Sequence, residues 1–332
     1  MKKLKITLFL SLLVITGINA QDTAETEKFV PSGEPSVKIF TNVHSTFVDG
    51  DNTSAFEVQR AYFGYSYSFS ENFSTKLTLD VGDPNDGGKL QMTAYLKNAA
   101  LEYHKGNLKV NFGLIGLYGF KTQEKQWGYR YIYKSFQDQH KFGSSADLGA
   151  SMVYKFSDLI SADAMILNGE GYKNLQSDDT YKGAVGVTIT PMKSLQLRAY
   201  YDYMSTDVAQ QTIALFGGYK ADNIKIGAEY NMQKNHALVE DQDFMGISLY
   251  TAVEVGKKLN FFGRFDNLTS TNAEDVNGES WNIAKDGQAY IFGLEYTPVK
   301  GIKISPNFQG WNPSEDGADF ESSAYLNIEI SF

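Results

Sequence analysis

The sequence contains no cysteine among its 332 residues. This excludes disulfide bonds, thiol nucleophiles, thiolate metal sites and a lipid-bearing N-terminal cysteine. Only four histidines are present, His44, His104, His140 and His236, and each lies in a different segment. None belongs to an H-E-x-x-H motif or suggests a Ser–His–acid order. The sequence therefore predicts neither catalytic residues nor a cofactor.

Basic charge is also scarce. Lys and Arg number 30 against 39 Asp and Glu, which gives a formal net charge of -9 at pH 7. A chain this acidic is not expected to bind nucleic acid or to carry a polybasic membrane-surface patch.

Long apolar runs are missing beyond residue 20, where none approaches the roughly 20 residues of a membrane-spanning helix. Residues 1–20 combine basic Lys2, Lys3 and Lys5 with an apolar run and a small residue, Ala20. This pattern predicts a secretory signal peptide cleaved after Ala20, with a buried N-terminal helix as the alternative. Cleavage would remove three lysines and no acids, so the net charge would move from -9 to -12.

Aromatic residues are abundant, with 22 Phe and 21 Tyr, although the mean hydropathy is only -0.32. Apolar and polar residues alternate along most of the chain, as in 73–82, 107–114 and 195–203. A period of two indicates β-strands with one apolar and one polar face.

About sixteen such strands are recognisable, joined alternately by seven tight turns and by longer polar loops. This pattern predicts an all-β fold: a transmembrane antiparallel up-and-down β-barrel of about sixteen strands over residues 36–332, after a flexible lead-in at 21–35. The expected strands are roughly 36–48, 55–69, 73–83, 91–104, 107–116, 145–156, 159–170, 180–190, 195–204, 210–220, 223–233, 243–255, 258–267, 286–297, 301–310 and 321–332.

The apolar face is expected to meet lipid and the polar face to line the lumen. A barrel of about sixteen strands is too wide for side chains to fill, so its interior holds water. Aromatics also gather near the tight turns, as in an interfacial girdle. In the last strand, Leu326 and Phe332 fall on the outward face, while Asn327 and Glu329 fall on the lumen face.

Several segments resemble known outer-membrane proteins. A last strand that ends on Phe332 resembles the signal read by the barrel-assembly machinery. The stretches FEVQRAYFGYSYSFSENFSTKLTLDVGD (56–83), KQWGYRYIYKSFQDQHKFGSSADLGASMVYKF (125–156), MILNGEGY (165–172) and FGRFDNL (262–268) resemble the phosphate-selective porin O and P family and related Bacteroidetes porins. The resemblance implies a porin, open to trimer formation, in the lipopolysaccharide-containing outer membrane of a Gram-negative bacterium. It also implies a pore rich in Arg and Lys, to which Arg60 would contribute.

The lumen-facing charges are nearly balanced, so the strand walls alone predict little selectivity. Arg198 with Asp202 and Arg264 with Asp266 could each form a structural pair instead of lining the pore. The expected lumen cations are Arg60, Lys76, Lys109, Lys155, Lys182, Arg198, Lys220, Lys225, Arg264 and Lys303. The expected lumen anions are Asp80, Asp147, Asp163, Asp202, Glu229, Glu254, Asp266, Glu295 and Glu329.

The third long loop, residues 117–144, is the strongest functional candidate because it is both cationic and aromatic. We expect it to fold into the barrel, bury its rings and narrow the pore with its cations; an external cap or a trimer contact are the alternatives. Its selectivity candidates are Lys121, Lys125, Arg130 and Lys134.

The predicted function is passive diffusion of small hydrophilic solutes and ions, with an anion or phosphate preference. The alternative is a non-conducting structural or adhesive barrel. A hydrophobic-solute transporter would need an apolar lumen face, which the strand pattern does not predict. The acidic loops at 49–52 and 83–88 could hold Ca²⁺ between surface oligosaccharides, although they lack the ligand spacing of a dedicated site.

Overall fold

The computed structural model describes residues 29–82, 92–177, 179–272 and 280–332. Its compact part, Pro31–Phe332, is a closed barrel of sixteen antiparallel strands. The strands are β1 Ser32–Val48, β2 Asp51–Ser68, β3 Phe73–Gly82, β4 Thr93–Lys105, β5 Leu108–Gly116, β6 Ala146–Lys155, β7 Ile160–Leu167, β8 Lys182–Met192, β9 Leu195–Ser205, β10 Ala209–Ala221, β11 Ile224–Lys234, β12 Gln242–Glu254, β13 Leu259–Asn272, β14 Gly287–Val299, β15 Ile302–Pro313 and β16 Glu321–Ser331.

Among the described residues, helical structure is confined to short segments in the loops. The third loop contains α1, Lys121–Trp127, and α2, Phe136–Gln139, and single 3-10 turns occur at His236–Leu238 and Ile283–Lys285. Within the described ranges, no helix is long and apolar enough to cross a bilayer.

Each strand pairs with its neighbours in the chain, and β1 pairs with β16 to close the barrel. In this seam Lys38 lies opposite Ser331. Beyond it, Val37 N–H donates to the Phe332 carbonyl at 2.8 Å and Phe332 N–H donates to the Val37 carbonyl at 3.1 Å. Closure gives the backbone groups of both terminal strands a partner, as a sheet in hydrocarbon requires.

The predicted all-β barrel of sixteen antiparallel strands is confirmed, and one boundary needs correction. Strand β1 begins at Ser32, so residues 32–35 are not part of a flexible lead-in. Pro35 is tolerated inside this strand because its nitrogen points to the same side as that of Val37, where β16 has already ended. Residues 1–28, which include the predicted signal peptide, lie outside the described residues.

The seven predicted tight turns are present, but the opposite end is less regular than expected. The β1–β2 connection is a two-residue turn at 49–50, and β9 and β10 are joined by 206–208 only. Strands β1 and β2 have 17 and 18 residues, whereas about 9–11 suffice to cross a bilayer. Because these strands continue past that length, they form a projecting hairpin where a longer loop was expected.

The outward face carries the aromatic girdle near the tight turns. Cross-strand or neighbouring rings touch there with centroids 5.0 Å apart, as in Phe73–Tyr103 and Tyr154–Phe156. Leu326 and Phe332 are exposed on this face, whereas Asn327 and Glu329 are buried inside. The expected orientation of the last strand therefore agrees with the structure.

The predicted role of Phe332 as an assembly signal can be tested separately from its contribution to stability. We predict that Phe332→Asp sharply reduces the yield of folded protein in the outer membrane, measured by heat-modifiable gel mobility. A charge near the interface costs only about 0–1 kcal/mol in a barrel, so a large loss would reflect failed recognition. Phe156→Asp is the matched control, because Phe156 is an equally outward ring at the same end of the barrel. Equal losses in both variants would contradict the signal role.

Candidate functional site: the third loop and the channel beside it

The third loop lies inside the barrel. It leaves β5 at Gly116, returns to β6 at Ala146, and buries its large side chains against the inner wall. Trp127 and Phe136 have no exposed surface. The other buried apolar side chains of the loop are Phe120, Tyr129, Tyr131, Ile132 and Phe142.

The inner wall is partly apolar where it receives these rings. Trp127 meets Tyr250 and Phe262 edge-on, with centroids 5.4 and 6.0 Å apart, and Tyr129 stacks on Phe262 at 4.6 Å. The sequence analysis did not single out Tyr250 and Phe262, because an isolated ring on a polar face is only an exception to the alternation. Apolar residues at lumen positions were the signal that a loop docks there.

The loop backbone is held by polar side chains of the wall. Arg264 Nη1 donates to the Lys134 carbonyl at 2.9 Å, and Asn327 Nδ2 donates to the Tyr131 carbonyl at 3.1 Å. Buried carbonyls need such partners, because a non-helical loop cannot satisfy them internally. Further donors to loop carbonyls are Arg198 to Tyr118, Tyr250 to Gln123, Lys225 to Trp127, Gln309 to Ile132 and Gln233 to Phe142. Many lumen polar groups are therefore docking groups for the loop.

Two of the expected pore-lining cations are buried in this docking wall. Arg198 forms a bidentate pair with Asp163 at 2.6 and 3.0 Å, and Arg264 pairs with Asp266 at 2.6 and 2.8 Å. Both arginines are 5% exposed. The pore-lining position expected for Arg198 and Arg264 is corrected accordingly, and the acid beside Arg198 is Asp163 instead of Asp202.

The expected lumen acids and cations are nearly equal in number but differ in their exposure to solvent. Eight of the nine expected lumen anions are buried, and only Glu254 is not. Of the ten expected cations, only Lys182, Arg198 and Arg264 are buried. Among these expected lumen charges, the ones that remain accessible to solvent are consequently mostly positive.

A first group of cations lies between the loop and strands β2–β4. Arg60 and Lys97 share the carboxylate of Asp80, at 3.1 and 3.5 Å. Across from them, Arg130 pairs with Asp138 at 2.6 Å and with Glu124 at 3.5 Å. Its Nη2 also donates to Tyr62 of β2 at 3.3 Å, which connects the loop to this wall.

Lys134 belongs to the same group. Burial and the nearby charges of Arg130, Arg60 and Lys141 lower the pKa of the Lys134 ammonium, against the opposing effect of Asp138. A lysine whose positive charge is disfavoured in this way gains from a bound anion.

A second group lies around α1. Lys121 and Lys125 are exposed one turn apart on this helix. Desolvation of the ammonium by the surrounding barrel interior, although the side chain keeps contact with water, is the main cause that lowers the pKa of Lys121, followed by the charges of Lys109 and Lys76. The one carboxylate paired in this group is Glu102, 3.4 Å from Lys109, among the described residues.

We call the two groups together the basic strip. It contains eight cations and four acids, and seven of its cations were expected from the sequence. Lys97 was missed because a β-bulge in the β3–β4 pairing turns it inward, against the simple alternation. The cations are Arg60, Lys76, Lys97, Lys109, Lys121, Lys125, Arg130 and Lys134, and the acids are Asp80, Glu102, Glu124 and Asp138.

A second loop also reaches the basic strip. Between β7 and β8, Tyr172 OH donates to Asp80 at 2.8 Å, and the Lys173 ammonium lies 4.2 Å from the ring centre of Tyr95. The loop between β7 and β8 therefore occupies space beside Arg60, on a side that the third loop does not cover. No signal in the sequence indicated this placement.

Of the two loops considered for Ca²⁺ binding, the structure describes only one. Residues 49–52 include the two-residue turn between β1 and β2, and residues 83–88 lie outside the described ranges. Within those ranges, no cluster of three or more His, Asp or Glu side chains could hold a metal ion.

Similar folds occur among solved structures of outer-membrane proteins. The outer membrane channel DcaP of Acinetobacter baumannii matches with a TM-score of 0.69 at 10% identity, covering 91% of this chain and 97% of that one. OmpF of Salmonella typhi, solved with daunomycin, matches at 0.66 and 12% identity over 90% and 97%. The trimer form of OmpT of Vibrio cholerae matches at 0.59 and 15% identity over 91% and 100%.

The chain shares its barrel fold with these outer-membrane proteins. No protein-family model and no curated protein sequence matches the chain. The resemblance to the phosphate-selective porin O and P family therefore has no support at the level of a family.

Docking of the third loop depends on Gly246 of β12. A Cβ at this position would overlap the ring of Phe136. We predict that Gly246→Ala releases the Phe136 end of the loop, because that ring is fully buried and has no room to move. Limited trypsin digestion at Lys134 and Lys141 should accelerate severalfold while the barrel keeps its heat-modifiable mobility. Gly217→Ala is the control, since a Cβ there makes only an ordinary 3.6 Å contact with Leu197; identical digestion of both variants would contradict the prediction.

The docked loop should also respond to acid through His140. Burial lowers the pKa of His140 from 6.5 to about 4, with the charge of Arg264 acting in the same direction and Asp266 opposing it. Because the folded pKa lies below the unfolded value, this contribution to docking is complete above about pH 6.5. It is lost as the pH falls toward 4.

We predict that the loop opens more often as the pH falls from 6.5 to 4. Hydrogen exchange of the loop's backbone amides would measure this opening. His140→Gln removes the titrating group and should flatten the part of the profile that belongs to this residue. An unchanged profile in the variant would show that other groups cause the opening.

Proposed function

We propose that the chain is an outer-membrane porin through which small hydrophilic solutes and ions diffuse passively, with a preference for anions. The observation that carries this proposal is the basic strip, which lies beside an inward-folded loop in a barrel of channel type. The fold of the neighbouring structures supports a location in the outer membrane of a Gram-negative bacterium, in contact with lipopolysaccharide. Assembly through the barrel-assembly machinery and a homotrimer belong to the same proposal.

The preference for anions follows from the separation of charge. Most of the expected lumen acids are buried, whereas Lys76, Lys121 and Lys125 are exposed. Fields from exposed charges reach about 10 Å at 0.1 M salt and about 3 Å at 1 M. The preference should therefore be clear at low salt and weak at high salt. A preference for phosphate over other anions rests on the family resemblance alone.

A non-conducting structural or adhesive barrel is the second candidate. Its supporting observation is the dense packing of the loop rings in the barrel interior, which reduces the open cross-section. Neither candidate requires an enzyme activity.

The test is ion selectivity in planar bilayers under a salt gradient. We expect discrete conductance steps and a reversal potential on the anion side, which moves toward zero as the salt concentration rises. The triple variant Lys76→Gln, Lys121→Gln, Lys125→Gln should move the reversal potential toward cations at 0.1 M salt. Arg130 is not included, because its ion pairs with Glu124 and Asp138 hold the loop together.

A matched triple variant removes the same charge outside the channel: Lys193→Gln, Lys257→Gln and Lys300→Gln, all exposed near tight turns. This control should keep the parent reversal potential. Equal shifts in both triples would show that net charge, and not the basic strip, sets selectivity. A complete lack of conductance in the parent protein would favour the non-conducting barrel.

A further inference from the structure

A cavity of about 990 Å³ opens above the third loop, toward the end of the barrel that carries the longer loops. We call it the vestibule. Its floor is formed by loop residues 132–134 and 139–141, and its sides by the outer parts of β2, β13, β15 and β16 and by residues 281–285. The basic strip borders it through Arg60, Arg130 and Lys134.

Two kinds of side chain line the vestibule. Its cations are Arg60, Arg130, Lys134, Lys141 and Lys285, against the acids Glu57 and Glu321. In the part of the chain that the structure describes, Lys134 and Lys141 form no ion pair, so both charges are free to meet a ligand.

Flat rings make up the second kind. His236 stacks on Trp281 with centroids 5.7 Å apart and planes at 21°, and His140 lies beside Trp311 at 6.1 Å. Trp281 and Trp311 are only partly buried, which leaves ring surface facing the cavity. Burial also lowers the pKa of both histidines, so the imidazoles are neutral at pH 7 and act as flat, uncharged surfaces.

We infer that the vestibule binds organic anions that combine a flat ring with a carboxylate, that is, aromatic carboxylates. The ring of such a solute would pack on Trp281 or Trp311, and its carboxylate would meet Lys134 and Lys141. This inference deepens the proposed function, because it names a solute class for the entrance to the same pore.

The combination of charge and rings decides between solute classes. An inorganic anion uses the lysines and leaves the rings unused, and an uncharged aromatic solute does the reverse. A volume near 1,000 Å³ lies at the upper end of the range for small-molecule sites, so a single-ring solute fits with its water.

Tryptophan fluorescence provides a direct test with the purified full barrel in detergent. The chain has 3 Trp, of which Trp127 is fully buried between the loop and the barrel wall and the other two line the vestibule. We expect 4-nitrobenzoate to quench the emission saturably at low salt. Uncharged 4-nitrobenzyl alcohol should bind at least about tenfold more weakly, since one charge-assisted contact is worth about 1.4 kcal/mol or more.

Variants separate the two parts of the site. Lys134→Gln with Lys141→Gln should weaken 4-nitrobenzoate binding severalfold, and Lys193→Gln in a distant tight turn should not. Trp281→Leu should weaken benzoate binding in calorimetry, whereas Trp281→Phe, which keeps a ring, should retain most of it. Inorganic phosphate should compete with benzoate only weakly.

Equal affinity for the acid and the alcohol would overturn the inference, as would unchanged binding in the double lysine variant or in Trp281→Leu. These binding measurements do not depend on conductance. If the parent protein shows anion-selective conductance but does not bind benzoate, the vestibule site is rejected and the proposed porin function is retained. Benzoate binding without conductance would keep the site and reject passive diffusion.

Discussion

The structure depends on one constraint: every buried backbone group must find a hydrogen-bond partner without water. For the strands, closure of β1 on β16 meets this requirement. For the third loop, which is mostly irregular, the wall supplies donors such as Arg264, Asn327 and Gln309. The same requirement therefore accounts for both the barrel and the polar side chains that hold the loop inside it.

This constraint also separates the charges. The arginines that hold the loop need carboxylates to balance them, so Asp163 and Asp266 are buried at the docking wall. The acids are thereby withdrawn from the water in the lumen, and the lysines on α1, β3 and β5 remain beside the open space. A chain with net charge -9 can in this way present a positive surface inside its own barrel.

The sequence predicted the barrel well and the site only in part. Period-two alternation and turn residues are local signals, so strand number and the seven tight turns could be read directly. The role of Arg198 and Arg264 could not, because it depends on where residues 117–144 pack, and the loop carbonyls that these arginines bind lie 80 and 130 positions away in the chain. Lys97 and the contact between Tyr172 and Asp80 were missed for related reasons: one depends on a β-bulge and the other on a second loop.

The seam between β1 and β16 has a consequence for how the protein folds. Val37 must find Phe332, so the contact that completes the barrel joins the first strand to the last across the other fourteen. Contacts of such range form late, because the whole intervening chain must be ordered first. Until then β1 and β16 are two unpaired edges, open to pairing with other chains. Protection of these edges before closure is therefore a condition of folding for this protein. Strand β1 forms with β2 the most extensive pairing in the barrel, so only one side of β1 remains to be protected.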